Sequence, residues 1–257
     1  MACSRLAPTA LALLAMLSSP VNAEEAGIAF IACPIVRDTS KVPCWLSEYD
    51  GETYYLGIQS DVSAPFNPPS LGHRALVEGV PQSGERICGG IVLGPVKVSV
   101  MPELSPECDE VRMAEDRYEL PFEPPRPPGP SGGSLAFAPP ASPAPPQPPY
   151  AARTFEIYFP FEGTVDFKTP AALQEVSDYA EAVGARQIRI EGHRAAVRLS
   201  DGTVVEERAG IGRMRAAEVT RMFTGLVRSV EKLEFSYSDR PELGDWRRRR
   251  VSIEVIP

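Results

Sequence analysis

Between residues 151 and 257 the apolar positions switch between a period of two and a period near 3.6. Phe155, Ile157, Phe159 and Phe161 share one face of an extended segment, and Pro160, which lacks a ladder donor, places it at a sheet edge or at its own end. Thr169-Pro170 reads as a cap followed by proline at a first helical position, and Gly184 stands where a helix stops. Leu173, Val176, Ala180 and Val183 form the apolar stripe between them. Gln187–Glu191 is a short strand through Ile188 and Ile190, and Arg213–Val230 a second helix burying Val219, Met222, Phe223, Leu226 and Val230. Leu233, Phe235 and Tyr237 alternate, as do Val251, Ile253 and Val255. The predicted order is β-α-β-α-β-β, an α+β domain over 151–257 with two helices on one face of a four-stranded sheet.

Residues 26–119 lack helical periodicity and are rich in turns. Val42–Ser47 and Thr53–Gly57 flank Asp50-Gly51, a pair suited to the positive φ angles of a tight hairpin turn. Pro43 belongs on the open side of an edge strand. Arg74–Val80 is a further strand, and Gly90–Met101 alternates through Ile91, Leu93, Val96, Val98 and Val100. The expectation is a small all-β module, a sandwich or an OB-like barrel. Trp45, Tyr54 and Tyr55 would suit a sugar-stacking platform in such a barrel, or ordinary core and cross-strand positions.

Composition separates the two modules. Of 28 prolines, 13 fall between Pro121 and Pro149. Residues 120–150 cannot bury enough surface to offset chain entropy and read as a polyproline spacer, long enough for the modules to work apart or simply to act as a hinge. Residues 24–150 carry 8 Lys and Arg against 17 Asp and Glu, while 151–257 carry 17 of each. An acidic first half excludes a nucleic-acid binder of ordinary kind, because phosphate neutralisation needs clustered cations. The basic run Arg247–Arg250 stands near Glu242, Asp245 and Glu254, which suits either a binding surface or a solvated face.

Residues 1–23 read as a secretory signal peptide: Arg5, an apolar stretch from Leu6 to Leu17, and Val21-Asn22-Ala23 as a small-residue cleavage site. No later run is apolar over the length needed to span a bilayer, so no transmembrane segment is expected after cleavage. Setting Cys3 aside leaves Cys33, Cys44, Cys88 and Cys108, an even number that implies two disulfides in an oxidising compartment. Three pairings are possible; the reading adopted is Cys33–Cys44 with Cys88–Cys108. A four-cysteine zinc site is the alternative, without the C-x-x-C spacing that would favour it. No nucleophile elbow, phosphate loop or metal-ligand spacing stands out, so neither an enzyme, a cofactor nor a metal is expected.

Four landmarks in the C-terminal segment, taken in order, resemble the OmpA-like domain, the peptidoglycan-associating module of cell-envelope proteins. Ile157-Tyr158-Phe159-Pro160-Phe161-Glu162 is similar to its opening strand. Ile188-Arg189-Ile190-Glu191-Gly192-His193 is similar to its second strand ending in Gly-His, and Arg215-Ala216-Ala217-Glu218-Val219 to the Arg-Ala-x-x-Val opening of its second long helix. Arg249-Arg250-Val251-Ser252-Ile253 is similar to its closing strand. The resemblance implies a periplasmic protein, associated with the cell wall or outer membrane, whose partner is the diaminopimelate stem peptide of peptidoglycan. An Arg fork would hold the ligand carboxylate and an Asp its ammonium. The Arg maps onto Arg215, in the first turn of its helix, and His193, Arg194, Arg249 and Arg250 map around it.

The family's Gly-His-Thr-Asp, however, is Gly192-His193-Arg194-Ala195 here, and the stretch before Arg215 is longer, an added hairpin turning at Asp201-Gly202. Losing the acid costs about 1.5–3 kcal/mol of binding. Asp201, Glu206 and Glu207 are the candidate substitutes. Two functions follow: non-covalent association with peptidoglycan, with residues 26–119 facing another envelope protein, or an envelope scaffold whose OmpA-like domain has lost that ligand. Saccharide binding by residues 26–119 is a third.

Overall fold

The structure is a computed structural model that describes residues 27–58, 69–118, 120–121, 147–165, 169–224 and 230–257. The expected signal peptide and nearly all of the proline-rich segment lie outside these residues. Among the described residues the chain is mostly β, with two α-helices and two disulfides.

The described residues of the first module form eight strands in two sheets. They are β1 (Ile28–Ala32), β2 (Pro34–Arg37), β3 (Cys44–Tyr49), β4 (Glu52–Ile58), β5 (His73–Gly79), β6 (Ile91–Val92), β7 (Lys97–Leu104) and β8 (Val111–Arg112). One sheet runs β1-β5-β7 and the other β6-β4-β3-β2-β8. The chain changes sheet at Cys33, between β1 and β2. Phe30, Trp45, Tyr54, Leu56, Val77 and Val98 are buried between the sheets. Trp45 and Tyr54 are therefore core residues, and the sugar-platform reading of them falls. The predicted hairpin is present, with Asp50 at φ 50° and Gly51 at φ 76°. The predicted strand Gly90–Met101 is in fact β6 and β7, divided at Gly94-Pro95.

The disulfides pair Cys33 with Cys108 and Cys44 with Cys88, which corrects the expected pairing. The cause lies in the β2–β3 ladder, where Arg37 faces Cys44 and Pro34 faces Ser47. Cys33 and Cys44 thus sit at opposite ends of the same hairpin, about 13 Å apart at the usual strand rise, well beyond the reach of one S–S bond.

The second module contains β9 (Arg153–Tyr158), α1 (Thr169–Val183), β10 (Gln187–Arg198), β11 (Val204–Glu206), α2 (Ile211–Phe223), β12 (Lys232–Leu243) and β13 (Arg250–Ile256). β10 is central. It pairs parallel with β12 on one side and antiparallel with β13 on the other, and β13 pairs with β9. Beyond β13, the far end of β10 pairs with β11. That is the added hairpin, with Gly202 at φ 89° in its turn. β10 is longer than predicted, so Gly192-His193 lies within the strand. A Cβ at Gly192 would meet the Gly212 carbonyl oxygen at 1.9 Å, so only glycine lets the first turn of α2 lie this close to the sheet. One buried cluster joins both helices to the sheet through Phe155, Leu173, Val176, Ile190, Val219 and Val251.

The two modules are in contact. Leu76, Phe161 and Val197 are buried together, with Ala29, Ile31, Met101, Leu199 and Val205 packed on them. The tip of the added hairpin binds β1: Ser200 N–H donates to the Ala29 carbonyl at 2.7 Å, and Ala29 N–H to Ser200 Oγ at 3.0 Å. Phe161 N–H donates to Ser99 Oγ at 2.8 Å. No helix among the described residues is long and apolar enough to cross a membrane.

Candidate functional site

Arg215 lies in the second turn of α2 and points back toward β10 and the segment after β9. Its side chain is wholly buried, and so is that of Glu207. All five N–H donors of the guanidinium are used. Nε donates to the Gly163 carbonyl at 2.8 Å. Nη1 donates to the His193 carbonyl at 3.2 Å and to Glu207 Oε2 at 2.8 Å. Nη2 donates to the Pro160 carbonyl at 3.0 Å and to Glu207 Oε1 at 2.5 Å. The carboxylate is equally filled, since Ala195 N–H donates to Oε2 at 2.9 Å and Glu162 N–H to Oε1 at 3.0 Å. A bidentate guanidinium–carboxylate pair with every donor and acceptor matched is among the strongest arrangements protein groups make.

The added hairpin delivers Glu207. Glu207 N–H donates to the Ala195 carbonyl at 3.0 Å, fixing the backbone beside β10. Arg194 ties the same strap from outside. Its Nε donates to the Glu207 carbonyl at 2.5 Å, its Nη1 to the Asp239 carbonyl at 3.2 Å and its Nη2 to Glu206 at 3.0 Å. In this structure the carboxylate in the Arg215 fork is that of Glu207, from the chain itself. Of the candidate acids, Glu207 reaches the site, Glu206 pairs with Arg194, and Asp201 caps its own turn by accepting from Thr203 N–H.

The other expected pocket residues go elsewhere. Arg249 is buried at the junction of the modules, where Nη2 meets Glu78 Oε2 at 2.5 Å and Nε donates to the Phe159 carbonyl at 3.3 Å. His193 and Arg250 belong to a ring of side chains on the open face of the sheet. His193 Nδ1 lies 3.0 Å from Glu242 Oε1 and Nε2 lies 3.2 Å from Ser252 Oγ. Ser252 Oγ also lies 3.0 Å from Glu156. Arg250 closes the ring, with Nη1 2.8 Å from Glu242 and Nε 3.2 Å from Glu156. Burial raises the Glu242 carboxyl, but the hydrogen bonds and charges of Arg250 and His193 outweigh it and hold the group below the usual carboxylate range.

Ser252, His193 and Glu242 have the connectivity of a nucleophile, base and orienting acid. The donor count gives them another role. Glu156 can only accept, so the Ser252 hydroxyl donates to it and turns a lone pair toward His193. A base must instead receive that proton. Ser252 also lies mid-strand, away from the sharp turn that exposes such a nucleophile. The ring therefore works as a cross-strand lock joining β9, β13, β10 and β12.

Open cavities among the described residues border the second module. One, of about 530 Å³, lies between the modules along Ile28, Val80, Pro95, Val197, Leu243 and Trp246. Another, of about 610 Å³, is lined by Glu156, Tyr158, Asp245, Arg247, Arg248 and Arg250. Neither is lined by Arg215 or Glu207. Sequence reasoning missed Glu78 and Glu156, and named Glu242 only as a charge near Arg247–Arg250, two of which it does pair with. Glu78 left a trace, a single acid inside the apolar run Ala75–Val80.

No family model, curated protein or solved structure matches the chain.

Proposed function

We propose that this protein is a scaffold component of the bacterial cell envelope, with an OmpA-like C-terminal module that has exchanged its cell-wall ligand for an internal carboxylate. The observation that carries the reading is the Arg215–Glu207 pair: both side chains are wholly buried and all five guanidinium donors are taken inside the chain. A stem peptide would have to displace four hydrogen bonds to Glu207 and leave that carboxylate buried without a partner, a cost of several kcal/mol. Ala195 supports the same reading, since it stands where the family's ammonium-binding acid would be. The added hairpin has two faces in this account. One carries Glu207 into the fork, and the other, through Leu199, Ser200 and Val205, binds the first module.

Two disulfides support an oxidising compartment such as the periplasm. The protein acts by presenting two joined modules to envelope partners rather than by chemistry. Co-sedimentation with purified sacculi tests this, using residues 24–257. The wild type remains in the supernatant like an unrelated exported protein. Saturable retention, released by soluble diaminopimelate-containing muropeptide, would return the module to the wall-binding class.

A further inference from the structure

We infer that His193 is held as an imidazolium at neutral pH, which makes the cross-strand lock a pH-sensitive device that loosens as the proton leaves. The inference does not depend on whether the protein binds the cell wall.

A count of hydrogens around Ser252 leads to it. The serine has one hydroxyl proton, and both Glu156 oxygens lie within reach of its Oγ, at 3.0 and 3.1 Å. A carboxylate only accepts, so the proton goes to Glu156 and Oγ turns a lone pair toward His193 Nε2 at 3.2 Å. Were Nε2 bare, two lone pairs would face each other at hydrogen-bond distance. Nε2 therefore carries a proton. Across the imidazole, Nδ1 faces Glu242 Oε1 at 3.0 Å, a second group that only accepts. Nδ1 carries a proton as well. Only the charged form of histidine donates from both nitrogens.

The surrounding charges agree. β9 supplies Glu156, β12 supplies Glu242, and β13 supplies Arg250, which lies 2.8 Å from Glu242 and 3.2 Å from Glu156. With His193 charged these four groups sum to zero. With it neutral they leave a net negative charge around a side chain that is only 9% exposed. At the rim, Arg248 of the short turn Trp246–Arg248 lies 3.6 Å from Glu242 and is half exposed. Tyr158 of β9 stands beside Arg250. Glu191, two residues before His193 on β10 and on the same face by alternation, is exposed.

Loss of the proton sets lone pair against lone pair or turns Ser252 away from Glu156. Either change breaks the contacts that join β9 and β13 to β10 and β12. The folded chain holds a proton that an unfolded histidine releases above about pH 6.5. The contribution of the lock is therefore complete below that pH and lost as pH rises, opposite in sign to that of Glu242.

The chain has two histidines, and His73 is the internal reference. Its Nδ1 lies 2.9 Å from the Met101 carbonyl oxygen, so a neutral His73 is protonated there and bare at Nε2. Nitrogen-15 spectra of the imidazoles in residues 24–257, assigned with His73→Gln, should show a bare nitrogen on His73 and two protonated nitrogens on His193 at about pH 7.5. A bare nitrogen on His193 wherever His73 has one overturns the inference. Urea unfolding reads the consequence. From about pH 6.5 to 8 the wild-type folding constant should fall, relative to that of His193→Gln, by up to about tenfold per pH unit, the linkage of one proton. Parallel profiles for the two proteins would overturn it as well.

Discussion

Glu207→Ala is the most informative single change. It removes a carboxylate that accepts four hydrogen bonds: two from Arg215 and one each from the Ala195 and Glu162 backbones. Arg215 keeps three carbonyl partners but becomes a buried cation without a counter-ion. Breaking one side of a buried ion pair costs about 3–5 kcal/mol, and two stranded backbone N–H groups keep the loss at the upper end. A chain of this size loses about 2–4 °C per kcal/mol, so the midpoint of thermal unfolding should fall by about 6–20 °C. The vacated fork still offers two guanidinium and two backbone donors, so formate or acetate should restore part of the loss in Glu207→Ala and leave the wild type unchanged. Scanning calorimetry at matched ionic strength, with chloride as control, reads both effects. A fall of under 1 kcal/mol, or equal stabilisation of wild type and variant by acetate, would refute the reasoning that this pair is tightly matched and closed.

Three further outcomes are expected. Non-reducing peptide mapping should recover Cys33 joined to Cys108 and Cys44 to Cys88, and removing either bridge should cost about 4 kcal/mol in the chain-entropy view of loops this long. Glu78→Gln should destabilise the protein by about 3–5 kcal/mol because it strands Arg249 at the module junction, read as a lower midpoint in thermal unfolding. The Glu242 carboxyl is held below its ordinary value, so its contribution is present above the unfolded glutamate pKa and lost as pH falls through the lower folded value. Acid unfolding of Glu242→Gln should therefore show a shallower stability loss than the wild type in that window, and an identical pH profile would count against the ring around His193.

Much of the fold is legible in the spacing of apolar side chains. The alternations at Phe155–Phe159 and Val251–Val255 and the stripe Leu173–Val183 each became an element packed in one core. The Asp50-Gly51 and Asp201-Gly202 turns were legible because the positive φ angles at Asp50, Gly51 and Gly202 favour those residue types. The length of β10 was not, since its second half, His193–Arg198, contains polar residues that are satisfied by long-range partners rather than by periodicity. Pairing of the cysteines depended on a ladder register that spacing alone does not fix. The candidate site was half legible. Arg215 and Glu207 were both singled out, but that they bind each other depends on a hairpin folding back over β10, and a buried fork has the same residue types as an open one. The partner of Arg249 was not legible for a related reason: its acid, Glu78, lies 171 residues away in the chain.

The central claim is that the Arg215 guanidinium is closed by Glu207, and its side-chain N–H resonances report this directly. In a spectrum of the arginine side chains of residues 24–257, the Arg215 Nε–H and Nη–H signals should be resolved, slow to exchange with water and unmoved by diaminopimelic acid at any concentration that leaves the other arginines unmoved. Rapid exchange of these protons with solvent, or a saturable shift confined to Arg215 as the ligand is added, would contradict it.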